Sequence, residues 1–168
     1  MNATFHCCDL YDTREFVDDQ FDIVFTSFRA IGWLPDLDKW AKVIKQSLKP
    51  NGKLIFVEFH PVVWMFDYDF TKIEYGYFKG AAIVENNEGT YADRNAPLSN
   101  PEVSWNHHLS EVFISLKNVG LTIDQFEEFD YSPHNCFKNM IEKKPGKFMI
   151  EKEQGKIPLM YSLVAFNS

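Results

Sequence analysis

Apolar positions along this chain fall into two contrasting rhythms. The run Phe21-Asp22-Ile23-Val24-Phe25-Thr26-Ser27 and the run Leu54-Ile55-Phe56-Val57-Glu58-Phe59-His60 are dense in β-branched and aromatic residues with little alternation. That pattern predicts strands covered on both faces of a parallel sheet. Between them, Leu37, Trp40, Ala41, Ile44 and Leu48 recur at helical spacing and would share one face. Asp36 stands where an N-cap accepts backbone N–H groups, and Lys42, Lys45 and Lys49 lie toward the negative end of the helix dipole. Pro50-Asn51-Gly52 cannot continue a helix and turns the chain into the second strand. Residues 21–60 therefore read as a strand–helix–strand unit with a right-handed crossover.

The remaining chain gives shorter signals. Thr4-Phe5-His6-Cys7-Cys8 predicts a short strand ended by Asp9-Leu10-Tyr11-Asp12, and residues 13–20 predict a turn or short helix. From Pro61 to Trp105 the α/β rhythm disappears, and Trp64, Phe66, Tyr68, Phe70, Tyr75, Tyr77 and Phe78 mix with acidic residues. A stretch of this length is too long for a plain connection. It predicts an inserted cap of short antiparallel strands with an aromatic inner face, turning at Asn86-Asn87-Glu88-Gly89-Thr90. Residues 106–119 predict a helix that buries Leu109, Val112, Phe113 and Leu116 and stops at Gly120. A strand over 121–129, a short helix over 137–143, a short strand over 147–150 and a long apolar final strand over 157–166 complete the chain. Pro158 sits at the start of the last strand, where a missing N–H is tolerated.

At 168 residues, one domain is expected. A net charge of −7 argues against nucleic acid as the main partner, because phosphate binding needs a basic face. No apolar run reaches the ~18 residues of a membrane span. Cys7, Cys8 and Cys136 make an odd set without metal-ligand spacing, which points to a reducing, cytoplasmic setting. Aromatic residues make up 16% of the chain, rich enough to suggest an aromatic-lined interior or pocket.

The strand Phe21-Asp22-Ile23-Val24 leading to Ser27, followed by Leu48-Lys49-Pro50-Asn51-Gly52-Lys53 before an apolar strand, resembles the fourth and fifth strands of a class I S-adenosylmethionine-dependent methyltransferase. Trp105 to Glu111, Val119-Gly120-Leu121 and Ile157 to Leu163 resemble that family's last helix, sixth strand and final strand, so the likeness runs over roughly residues 4–167. It implies a partial Rossmann-like α/β sheet, strands 4-5-7-6 in the family's order, with a mostly β cap inserted at about 61–105. The whole of 1–168 would be one methyltransferase domain shortened at its N-terminus. S-adenosylmethionine is the implied cofactor of the intact family member, and a small molecule the implied acceptor.

Departures from the family pattern are as informative. The family binds its cofactor with a Gly-rich turn after the first strand and an acidic residue after the second. This sequence has neither; its one Gly-x-x-x-Gly, Gly76 to Gly80, lies in the cap. The chain is therefore expected to hold only part of a cofactor site and to be incomplete as an enzyme alone. Strand 21–27 would be left with a bare edge, an association hazard. A homodimer through that edge, or coverage by the N-terminal segment, is expected. A non-catalytic, self-associating remnant is the alternative reading.

By the resemblance, Asp9 matches the acid that meets the adenine amino group, Leu10 the adenine wall, and Thr26, Ser27 and Phe28 the segment under the methionine part. The candidate chemistry at the strand ends falls to Glu58, His60 and His107. Glu58 and His60 are two apart and share a strand side, and His107 opens the last helix beside His108 and Glu111. Two readings compete for them: a base that contacts substrate, or a polar layer under the cap. A metal is not expected from so sparse a set. Trp33, Trp64 and Trp105 read either as a cation-friendly pocket or as aromatic core. Cys136 lacks the company that would make it a nucleophile and reads as core.

Overall fold

In the computed structural model, residues 3–88 and 96–168 are described. In chain order the elements are α1 (Thr13–Phe16), β1 (Phe21–Ser27), α2 (Leu37–Ser47), β2 (Leu48–Phe59), β3 (Ile83–Glu88), β4 (Ser99–Ser104), α3 (Leu109–Asn118), β5 (Thr122–Phe129), β6 (Met140–Lys144), β7 (Lys147–Ile150) and β8 (Met160–Phe166). Strands β1, β2, β8 and β5 form one sheet in that order. β1 runs parallel to β2, pairing Val24 with Leu54 and Phe25 with Ile55. β8 is antiparallel to both its neighbours, β2 and β5. The order, and the parallel pairing of β1 with β2, are those that the sequence implied.

Helix α2 starts where Asp36 Oδ1 accepts from Lys39 N at 3.0 Å. It buries Leu37, Trp40, Ala41 and Ile44 against Leu54 and Phe56 of β2 and Tyr161, Leu163 and Ala165 of β8. Helix α3 adds Val112 and Leu116 to the same core, so both longer helices cover one face of the sheet. The turn into β2 depends on close backbone approach. Asn51 takes a left-handed φ of 63°, and a Cβ on Gly52 would meet Phe21 O at 2.9 Å and Lys49 O at 3.0 Å. The C-terminus ties into this turn: Asn51 N donates to Asn167 O at 2.7 Å and Asn167 N to Gly52 O at 2.9 Å.

A second, smaller core lies past the carboxyl ends of the strands, where Phe59, Val63, Phe70, Ile150, Leu159 and Met160 meet under the cap. The cap contributes an antiparallel pair, β3 with β4, a 3-10 turn at Val63–Met65 and a bridge between Phe66 and Ile73. Gly89 and Thr90, expected in the turn of that pair, lie outside the described residues; Asn86 and Asn87 belong to β3 itself.

Three expectations are corrected. Residues 4–8 are not a strand; Phe5 is 93% exposed, and among the described residues no backbone partner lies beside the segment to satisfy a ladder. Residues 137–143 are not a helix; Met140–Lys144 pairs with Lys147–Ile150 as a hairpin that turns through Pro145 and Gly146, the latter at a φ of 69°. Lastly, β1 is not covered on both faces. Val24 packs into the core, but Phe21, Ile23 and Phe25 remain 42, 51 and 61% exposed. Among the described residues the N-terminal segment does not cover that edge either: α1 packs on α2, and β1 pairs with β2 alone.

Candidate functional site

The parallel pair β1–β2 ends in a turn of unusual backbone geometry. Phe28 and Arg29, directly after β1, take left-handed φ values of 41° and 60°. Non-glycine residues in this region cost on the order of 1–3 kcal/mol each and persist where their surroundings hold them. Here the holder is Glu58. Its buried carboxylate accepts from Arg29 N, from Phe59 N at 2.7 Å and from Ile31 N at 3.4 Å, while Phe28 N donates to Val57 O at 2.9 Å. Burial pushes the Glu58 carboxyl up to about 7, although the backbone N–H groups of Phe59, Arg29, Ile31 and Ala30 pull the other way.

His60, directly after β2, is equally enclosed. Its Nδ1 accepts from Val62 N at 3.2 Å, which leaves the proton on Nε2. Nε2 lies 2.9 Å from Glu128 Oε1. Burial lowers the His60 pKa, with Glu128 acting in the opposite sense. The buried Tyr161 ring lies edge-on to His60 at 6.1 Å and pairs in register with Glu58; its hydroxyl has no hydrogen-bond partner among the described residues.

His107 stands apart. Its Nε2 donates to Leu34 O at 2.8 Å and its Nδ1 meets Glu111 Oε2 at 3.0 Å. Glu111 also takes Lys79 Nζ at 3.0 Å, and that same ammonium donates to Pro35 O at 2.7 Å. The cluster braces the cap against α3 and the start of α2. Among the described residues no hydrogen bond or ion pair joins His107 to Glu58 or His60, and no group of three His, Cys, Asp or Glu side chains is arranged to hold a metal.

Asp9 caps a 3-10 turn by accepting from Tyr11 N at 2.9 Å, and Leu10 packs against the main core. Tyr11 locks this segment to α2: its hydroxyl donates to Asp36 O at 3.1 Å and accepts from Asp36 N at 3.0 Å. Thr26 and Ser27 are half-buried at the end of β1, and the Phe28 ring lies 6.0 Å from Phe59 and 5.6 Å from His134. Among the described residues β1 has no second neighbour and no glycine-rich turn follows a strand on that side, so these residues do not make a complete cradle for a nucleoside-and-amino-acid ligand.

Beyond the same strand ends lies a cavity of ≈140 Å³ that the sequence marked only by its aromatic richness. Trp64, Phe66, Phe70, Tyr75, Trp105 and Phe137 supply rings to its wall, and Arg29, Asp67, Glu85 and Asn106 supply the charged and polar groups. The Arg29 guanidinium carbon sits 4.5 Å from the Trp33 ring and 4.7 Å from the Trp64 ring, with Glu102 at 3.7 Å. Trp33 and Trp64 thus hold a cation, the protein's own, while Trp64 also packs against the smaller core and Trp105 lines the cavity. Arg29 and Asn106 carry no local motif, so only the left-handed turn and the cap together reveal them.

Residues 1–56 match the family described as Methyltransferase domain. A comparison with curated proteins finds no match. Among solved structures, a Listeria monocytogenes protein assigned as an S-adenosylmethionine-dependent methyltransferase is 16% identical, with a TM-score of 0.56, covering 89% of this chain and 62% of its own. An S-adenosylmethionine-dependent methyltransferase from Clostridium acetobutylicum is 14% identical, with a TM-score of 0.55 and coverage of 96% and 63%. One from Mesorhizobium loti is 15% identical, with a TM-score of 0.50 and coverage of 87% and 62%. The chain thus spans about three fifths of the length of these proteins. The sheet order, the β1–α2–β2 unit and these likenesses agree: the chain has the fold of the class I methyltransferases, a family whose cofactor is S-adenosylmethionine.

Proposed function

We propose that this chain serves S-adenosylmethionine-dependent methyl transfer to a small molecule, supplying the part of the cleft over the ends of β1 and β2. The observation that supports this most is the turn at Phe28–Ile31, forced into left-handed geometry and held by Glu58 beside an aromatic cavity. When bound, the cofactor supplies a methyl group on a sulfonium centre, which an acceptor must approach in line with water excluded. The chain's own residues would divide the work. Asp9 and Leu10 would meet the adenine, while Thr26, Ser27 and Phe28 would lie under the methionine part. Glu58 is a positioning residue for that floor. His60 and His107 hold the strand end and the cap, with both His107 nitrogens already engaged.

A second reading has its own support. Phe21, Ile23 and Phe25 are exposed on a strand with one unpaired edge, a surface that favours pairing with another copy. In that reading the chain self-associates through 21–27 without catalysis. Calorimetry with S-adenosylhomocysteine separates the two. The methyl-transfer reading expects saturable binding that Asp9→Ala and Phe28→Ala each weaken by about fivefold or more. Absence of saturable heat, together with a concentration-dependent dimer that Phe25→Lys dissolves, would establish the second reading instead.

A further inference from the structure

We infer that the cap cavity is a binding site for a compact aromatic molecule carrying a protonated amine. Its size sets the first limit. At ≈140 Å³ it has room for a single substituted ring, since an apolar cavity of ~150 Å³ admits benzene. Trp64, Phe66, Phe70, Tyr75, Trp105 and Phe137 give that ring faces and edges to pack on.

The polar groups set the second limit. Asn106 is 5% exposed, and its Nδ2 is committed twice, donating to Gly76 O at 2.9 Å and Pro61 O at 3.2 Å. These two carbonyls fix the amide's orientation. The buried Oδ1 is left without a donor among the described residues. A buried acceptor without a partner costs on the order of 1–3 kcal/mol, and a ligand N–H relieves that cost. Glu85 accepts the Tyr75 hydroxyl at 2.7 Å, a bond that raises the Tyr75 pKa to about 12. The Asp67 carboxylate is held low by Thr71, chiefly through the side-chain hydrogen bond.

Arg29 is the one wall group that would invite an anion, and it is already committed. Two indole rings sandwich it, Glu102 pairs with it, and Glu85 and Glu58 add to the negative field around it. The wall therefore carries two carboxylates and an orphan acceptor against one compensated cation. An aromatic ring beside an ammonium complements that balance; an aromatic carboxylate opposes it. As the methyl acceptor such a molecule rests on the function proposed above, but as a ligand it does not.

The test is calorimetry, supported by tryptophan fluorescence, on the whole chain at neutral pH with three ligands of one size: 2-phenylethylamine, 2-phenylethanol and phenylacetate. The amine should bind saturably, the alcohol about tenfold more weakly and the carboxylate weaker still. Glu85→Gln keeps an acceptor for Tyr75 but removes the charge, so it should reduce the amine to the affinity of the alcohol and leave the alcohol unchanged. Phenylacetate binding as tightly as the amine, saturable binding of none of the three, or a Glu85→Gln protein with wild-type preference would each overturn the assignment. The ligand series on the unaltered chain decides the matter even if the variant fails to fold. Amine binding without S-adenosylhomocysteine binding would uphold this site and defeat the methyl-transfer reading. The reverse result would do the opposite.

Discussion

Strands β1 and β2 have nearly the same composition and opposite fates. Phe21-Asp22-Ile23-Val24-Phe25 and Leu54-Ile55-Phe56-Val57-Glu58 are both apolar runs with one acidic residue. β2 has a neighbour on each side, and Leu54 and Phe56 are fully buried. β1 has one neighbour, and Phe25 is 61% exposed. Burial thus follows the face as well as the neighbour: Val24 and its register partner Leu54 belong to the helix-covered core, whereas Phe25 and its half-buried partner Ile55 lie on the other face. Thr26, Ser27 and Phe28 sit where the half-covered strand ends against the fully covered one, and the function proposed above places the cofactor there.

The contrast can be broken most forcefully from the buried side. Phe56 is 0% exposed, 5.2 Å from the Trp40 ring and 5.6 Å from that of Tyr161. Phe56→Ala should therefore cost ~3–5 kcal/mol in urea unfolding. Next comes Glu58. Its folded pKa of about 7 lies above the ordinary 4.5, so its contribution to stability is complete below about 4.5 and is lost as pH rises through about 7. The loss is on the order of 3 kcal/mol. Unfolding measured across that window should show the decline in the wild type, relative to Glu58→Gln, whose amide does not titrate. Gly52→Ala should cost ~1–3 kcal/mol, because its Cβ would press on backbone oxygens of Phe21 and Lys49 rather than on a flexible side chain. Smallest is Phe25→Lys, within ~0.5 kcal/mol for a monomer. A cost near that of Phe56→Ala would mean that β1 is covered in solution.

Much of this arrangement was legible before any coordinates. The spacing of Leu37, Trp40, Ala41 and Ile44, the Asp36 cap and the Pro50-Asn51-Gly52 turn locate α2 and its exit because those signals are local. Thr4 to Cys8 failed for the reason β1 did: β-type residues state a willingness to pair, and pairing needs a partner. Residues 137–143 were misread because the Pro145-Gly146 turn, the stronger signal, lies just past them. The polar site residues were legible one by one but not as a set. Glu58 holds a turn that only its left-handed backbone makes reachable, and His107 is drawn away to Glu111 and Leu34. Arg29 and Asn106 come from distant stretches that meet only once the cap folds over the strand ends.

Amide hydrogen exchange on the whole chain, with and without S-adenosylhomocysteine, tests the account most directly. In the free protein, residues 53–59 should exchange slowly and 21–27 much faster, and the ligand should slow exchange selectively at 26–31. Equal, slow exchange in both strands with no response at 26–31 would contradict it.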